Sequence, residues 1–355
     1  MKTISIIVAA YNMEDYLGRC LNSVVDHKWD DSVEVIVVND GSQDNTLQIA
    51  RRYQSDYPQI VTVIDKENGH HGSCTNVALP VAKGKYVKVL DADDWFDPKA
   101  FDYLIHKLKS LDSDLIITNY STRYASGKTL HRRYSSSDRF DFRETLTSGS
   151  SVFPQSLSMH AVTYRTELLQ KMNYRQSEGV YYSDNEWIFY PLFFVETWAF
   201  VNADVYQHFL GREGQSMDPA AFKRNTTQLQ VVGLHMLEYY STFNRESLSK
   251  ARDADLFRKV YNFIIPIYRR HLLWQSDNDF APHTLAAFDK AIRETNETFY
   301  NHLAEEVPRR WMPIRYIKYW RTHARRLALW VRFFFKVLRK IADINRAFNK
   351  RRLIV

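Results

Sequence analysis

The sequence predicts an α/β protein, a mostly parallel sheet with helices on both faces, followed by a helical C-terminal region. Three observations lead there. Over the first 120 residues, short β-branched runs alternate with segments of helical periodicity. The stretches that follow those runs are polar and rich in Asp, Asn, Gly and Ser, as strand ends lining a ligand crevice are. From Pro219 onward the pattern is helical, broken only by polar residues and proline.

Taken in order, the runs 3–10, 33–39, 60–65, 86–91 and 114–119 read as strands, and 14–27, 44–56, 75–82 and 98–108 as helices. Segment 121–137, STRYASGKTLHRRYSSS, alternates around a Gly turn and predicts a hairpin at the sheet edge. A strand at 158–164, a helix at 185–197 and a strand or turn at 199–209 follow. The C-terminal periodicities cover 220–244, 251–275 and 282–302. The predicted division is a catalytic domain over 1–215, a helical region over 216–308 and a basic amphipathic tail over 309–355.

With 355 residues and 45% apolar content, the chain can bury a full core. Cys20 and Cys74 have neither CxxC nor Cys/His spacing, which argues against a disulfide framework and a structural zinc. The opening MKTISIIVAAYN lacks the basic start and cleavage site of a leader and runs directly into a strand, so a cytoplasmic protein is expected. The net charge of +7 conceals a division: residues 309–352 hold 15 Lys and Arg against one acid, Asp343, which leaves 33 basic and 40 acidic residues elsewhere. An acidic body with a basic tail points to a polyanionic partner for the tail.

The residues that carry chemistry sit at the predicted strand ends. Asp91-Ala92-Asp93 ends KYVKVLDADDW. Two carboxylates one residue apart can divide the work, one facing a sugar hydroxyl and one a hard cation that bridges phosphates. A solvated turn before the Pro98 helix is the plain alternative. The context is SIIVAAYN at the first strand, VEVIVVNDGSQDNT at the second, ENGHHGSCTNVAL before the third helix and GKYVKVLDADDW at the fourth strand. In this order and spacing the first 110 residues resemble glycosyltransferase family 2, the inverting enzymes of the GT-A fold, of the type that builds bacterial cell-surface glycans.

The resemblance implies a UDP-sugar donor, Mg²⁺ or Mn²⁺ as cofactor, and roles at matched positions. Ala10 and Tyr11 would flank the nucleobase and Asp40 would accept from its ring N–H, as a carboxylate can from uracil. Asn68, Gly69 and Asn76 would border the nucleotide. Asp91, with Ala92, would hold ribose or sugar, and Asp93 the metal. Of the pair His70-His71, a loop histidine, His70, is the candidate for a phosphate or sugar contact. YYSDNEW at 181–187 resembles the family's second acidic motif, with Ser183 where Glu is frequent. Asp184 is there the expected base and Glu186 the fallback, while an N-cap is the structural alternative. Arg212, in a Gly-flanked segment, is placed to neutralise a departing diphosphate, with Ser216 assisting. His208 is a candidate metal ligand or phosphate contact, and a packed histidine is the alternative.

In the tail, apolar residues recur every three or four positions from Ile314 to Phe348 among Lys and Arg, which predicts an amphipathic helix or a pair of helices. It reads as lying on an anionic membrane surface, with Trp311, Trp320, Trp330 and Phe333–Phe335 inserted. Packing on the preceding helices and homo-oligomer formation are the rival readings. Nucleic acid is disfavoured by the acidic body and the lack of a recognition motif. The expected function is transfer of a sugar from a UDP-sugar to a hydroxyl on a glycan or lipid-linked envelope precursor, at the inner face of the cell membrane. The alternative is a non-catalytic sugar-nucleotide or glycan-binding protein of the same fold. A nucleotidyltransferase would carry a Gly-rich basic phosphate loop after the first strand, and residues 9–15 have none.

Overall fold

The computed structural model describes residues 2–29, 31–134, 142–145, 153–154, 157–212, 214–215, 225–305 and 314–338. They divide into two compact units, 1–232 with 244–256, and 233–243 with 257–355.

The first unit is built on a mixed sheet. β1 (Ile4–Ala10), β2 (Val33–Asp40) and β4 (Tyr86–Asp91) are buried almost throughout, as continuous β-branched runs covered on both faces must be. With β3 (Val61–Lys66) they form a parallel block, and the sheet order is β3-β2-β1-β4-β9-β6-β10-β5. β5 is Trp95–Phe96, β6 Leu115–Tyr124, β9 Val162–Arg165 and β10 Thr197–Leu210, with β8 (Phe142–Thr145) paired to β10 off this path. β9 runs antiparallel between β4 and β6, whereas β10 runs parallel to β6. Along that pair the partners shift from Val201 with Thr118, through Asp204 with Asn119, to Tyr206 with Tyr120. These two irregularities put extra residues into β10.

The helices α1 (Leu17–Asn22), α2 (Thr46–Asp56), α3 (His70–Ala78) and α4 (Pro98–Ser110) connect the parallel strands. α4 starts sharply because Asp97 accepts from the N–H groups of Lys99 and Ala100 and Pro98 occupies the first turn. Its inner face reaches Trp29, whose ring meets Phe101 edge-on at 5.0 Å. Glu34, a buried acid on β2, accepts from Ser5 Oγ and the Lys83 N–H, so its charge is not left unpaired.

Several boundaries differ from expectation. α3 begins at His70, five residues before the expected start, because Gly69 occupies the cap and Gly72 lets the helix touch the 176–178 segment. The hairpin at 121–137 forms from the end of β6 and β7 (Thr129–Arg132), turning at Gly127 with φ +82°. The helix expected over 185–197 ends early: α6 is Asp184–Phe189, preceded in the chain by α5 (Thr166–Lys171), and Pro191 sits in a tight 3₁₀ turn before β10.

The second unit holds helical segments. The periodicity over 282–302 divides into Pro282–Thr295 and Glu297–Ala304, because extended Asn296 accepts from the Phe299 N–H and starts a new helix. The tail forms Tyr316–His323, stopped by Ala324 at φ +52°, and a helical stretch at 329–338. Trp320 and Phe335, expected to insert into lipid, are instead 7% and 2% exposed within the protein, and Trp311 lies outside the described residues. Among the described residues no helix is long and apolar enough to cross a membrane.

Candidate active site

The strand ends of the parallel block open into a cavity of about 800 Å³ in the first unit. At its floor β4 turns through Asp91-Ala92-Asp93-Asp94, closed by the Asp94 N–H on the Asp91 carbonyl. Tyr206 of β10 holds this turn: its hydroxyl accepts from the Asp91 N–H (3.1 Å) and donates to Asp94 Oδ2 (2.7 Å), while the Phe209 N–H donates to Asp94 Oδ1 (2.6 Å). Burial and the charges of Asp93 and Asp91 push the Asp94 carboxyl well above the usual range. Asp93 Oδ2 accepts from Arg212 Nε and Gln215 Nε2, both at 3.0 Å. Its carbonyl accepts from Arg19, whose guanidinium lies 4.0 Å from the Trp95 ring centre. The acidic turn is therefore fixed from both sides before any ligand arrives.

A second wall comes from β1, β2 and the start of α3. Ala10, Tyr11, Asp40, Asn68 and His70 all line the cavity. Asp40 is 3% exposed, and its Oδ1 accepts from Lys66 Nζ (2.6 Å), the Gly69 N–H (3.0 Å) and Ser73 Oγ (3.4 Å). Its Oδ2 carries no hydrogen bond among the described residues. Gly41, at φ +75°, is a position where a Cβ would lie 2.9 Å from the Asn68 nitrogen, so only glycine lets the two loops meet. Asn12, His70 and Tyr182 line the cavity and are three of the five described non-glycine residues with positive φ. Such strain gathers where surrounding structure fixes a functional surface.

The third wall carries Asp184 at the first turn of α6. Ser183, at the N-cap, makes no capping bond through its side chain; its Oγ accepts instead from Gln176 Nε2. Burial, with the Asp91 charge adding to it and His71 opposing, raises the Asp184 pKa to about 6. His71 Nε2 stands 3.5 Å from Asp91 Oδ1, an ion-pair distance. Burial disfavours charge on this imidazole, yet Asp91, Asp184 and Asp40 hold its pKa above the ordinary value.

Three expected residues support the site without lining it. Gly69 ties Asp40 to the loop before α3 and accepts from the Gly179 N–H. Asn76 bonds Gln176 through both backbone groups and reaches Glu178. Glu186, fully buried, accepts from the Ser177 N–H and hydroxyl, both at 2.7 Å. These bonds position the 176–178 segment ahead of Asp184. Ser216 lies outside the described residues.

His208 also lines the cavity, stacked on His160 at 4.2 Å. Ligand atoms of Asp94, His160 and His208 lie within 4.8 Å of one another. Burial pulls His160 to about 3 and His208 below its ordinary value, so both rings stay neutral and can offer nitrogen to a cation. Asp94 already accepts a bond on each oxygen, whereas Asp93 Oδ1 has none among the described residues. A carboxylate from Asp93 with the His208 imidazole, and Asp91 in the same cavity, suits a hard or borderline divalent ion. His71, His160, Asp94, Tyr206 and Gln215 were not singled out by sequence. His71 and His70 are indistinguishable until the start of α3 is known, and nothing in SMHAVTYR marks His160 as a cavity residue.

Residues 5–170 match the family model for glycosyl transferase family 2. The chain is 35% identical over 130 residues to the putative glycosyltransferase EpsH of Bacillus subtilis, covering 36% of each chain. It is 27% identical over 215 residues to the uncharacterized glycosyltransferase YibD of Escherichia coli, covering 58% of this chain and 61% of that one. These matches span less than two thirds of the relatives' length. The fold is similar to that of S. aureus TarS 1-349, with 21% identity, 90% and 86% of the two chains covered and a TM-score of 0.59. It is also similar to the structure of that protein in complex with UDP-GlcNAc, with 18% identity, 92% and 93% coverage and a TM-score of 0.59.

Proposed function

We propose, from the match of residues 5–170 to the family model for glycosyl transferase family 2, that the chain is an inverting, metal-dependent transferase that moves a sugar from a UDP-sugar to an acceptor hydroxyl. The observation that carries this reading is the pair of separate carboxylate groups on one cavity: the fixed acidic turn at 91–94, and Asp184 with its pKa raised to about 6. A base poised near neutrality can take a proton and still be largely ionised at pH 7.

Asp40 Oδ2 accepts from the uracil N–H, Tyr11 covers the base, and Asp91 orients ribose or sugar. Asp184 takes the acceptor proton as the acceptor oxygen forms its bond to the anomeric carbon. The bond from that carbon to the diphosphate oxygen breaks, its electron pair leaves with UDP, and the configuration inverts. Arg212, held over Tyr16 and against Asp93, brings its guanidinium charge to the side of the cavity where the diphosphate departs. Mg²⁺ or Mn²⁺, held by Asp93 and His208, would supply charge neutralisation for that leaving group.

The acceptor is a glycan or lipid-linked cell-envelope precursor. Support comes from the chain's 28% identity over 142 residues to the minor teichoic acid biosynthesis protein GgaB of Bacillus subtilis. The protein associates peripherally with the inner face of the membrane through 309–355.

The test is Asp184→Asn in a transfer assay over a panel of UDP-sugars and acceptors. Transfer should fall by about 10² to 10⁴ while UDP still raises the melting temperature by mass action. Equal, negligible turnover in both proteins with that thermal effect intact would make the chain a binding protein instead.

A further inference from the structure

The helical stretch at 329–338 is amphipathic in the reverse sense from a packed surface helix. The side against its own unit holds Arg332 and Phe335, 6% and 2% exposed. Arg332 Nη2 bonds both oxygens of Asp277, at 2.7 and 2.9 Å, and Arg326 just upstream also binds Asp277 and the carbonyls of Gln275 and Ser276. These bonds fix how the helix is rolled. Turning it over would strip a buried guanidinium of its partner, which costs far more than a surface pair is worth.

The side so turned outward is apolar. Leu329, Trp330, Phe333, Phe334 and Val337 are 67%, 74%, 66%, 54% and 39% exposed. Spaced by one, four, five and eight residues, they cover an arc of about 140°. Scattered exposed apolar residues are ordinary, but two phenylalanines and a tryptophan on one arc mark an interaction surface.

Charge identifies the occupant. Arg325 and Lys336 are exposed beside the arc, and the sequence continues with further Lys and Arg against one acid, Asp343. A second copy would bring the same cations to the same face. We propose that this face docks on an anionic lipid bilayer, with Trp330, Phe333 and Phe334 entering the boundary between headgroups and acyl chains while the flanking cations meet anionic headgroups. This sharpens the membrane association proposed above and is independent of the catalytic assignments.

The test is flotation of the full chain with phosphatidylcholine vesicles, with and without phosphatidylglycerol, in the absence of donor and acceptor. Wild type should float with the anionic vesicles and be released by high salt. Trp330→Ser/Phe333→Ser/Phe334→Ser should lower that partition at least about tenfold, with an unchanged melting curve since these side chains stand in solvent. Arg325→Glu/Lys336→Glu should do the same with the apolar arc intact. The proposal is overturned if the triple variant floats as wild type does, or if wild type floats equally without phosphatidylglycerol. It is likewise overturned if wild type does not float but self-associates through these three side chains. None of these results bears on transfer, which the Asp184→Asn assay reads separately.

Discussion

Asp184→Asn should stabilise the protein while disabling it, and the gain should grow with pH. In the folded chain burial and the Asp91 charge raise the Asp184 pKa to about 6, against a reference of 3.8. The folded state therefore holds this proton more tightly than the unfolded one. Its contribution is fully favourable below about pH 4 and is lost as pH rises through about 6; above that, ionised Asp184 costs stability. A gap of about two units corresponds to ~3 kcal/mol. Asp184 is half-buried, and water reaching it reduces this to about 1 to 3 kcal/mol. Asparagine does not titrate, so the difference between variant and wild type should widen by that amount between about pH 3 and 7, most of it between the two pKa values, and then stay level. Thermal melts of both proteins, with metal chelated and donor absent, measure it. The wild-type transfer rate should rise with pH up to about 6 and then level. A stability difference that stays constant or narrows over this range, or a rate that ignores pH near 6, would refute the assignment of Asp184 as a desolvated base.

Gly72→Ala should slow transfer with little effect on UDP binding, because a Cβ there would lie 2.0 Å from the Ser177 carbonyl oxygen and displace the segment that leads to Asp184; steady-state kinetics would show a fall in kcat exceeding any rise in KM for the donor. Tyr206→Phe removes the donor to buried Asp94 and the acceptor for the Asp91 N–H. Unfolding experiments should find a loss of about 1 to 3 kcal/mol, and weaker retention of the divalent ion, read by metal titration, should accompany it.

Much of this molecule was legible in its sequence because the parallel block is buried on both faces. The runs ISIIVAA, VEVIVVND and YVKVLD carry a signal that no surface strand produces, and their order located Asp40, Asp91 and Asp93. The place of Asp184 on the cavity was legible from its motif, whereas the bonds that hold its neighbour Glu186 away from the cavity lining were not. Those bonds depend on Ser177, nine residues earlier, folding back to donate both. His160 meets His208 only through tertiary packing. The tail's hydrophobic periodicity was evident, but which aromatic residues face outward depends on the Arg332 to Asp277 pair, which periodicity does not encode.

The irregularities in β10 set a rule for how this chain can change length. Before them Val201 pairs with Thr118, and after them Tyr206 pairs with Tyr120, so β10 advances five residues while β6 advances two. Three surplus residues are absorbed between Val201 and Tyr206, an odd number in a structure whose side chains alternate in twos. Losing one of them would turn Tyr206 and His208 away from the acidic turn together, whereas losing two would preserve their direction. Variation among natural or engineered descendants should therefore be tolerated here in pairs of residues, a parity constraint written into the strand and independent of which amino acids occupy it.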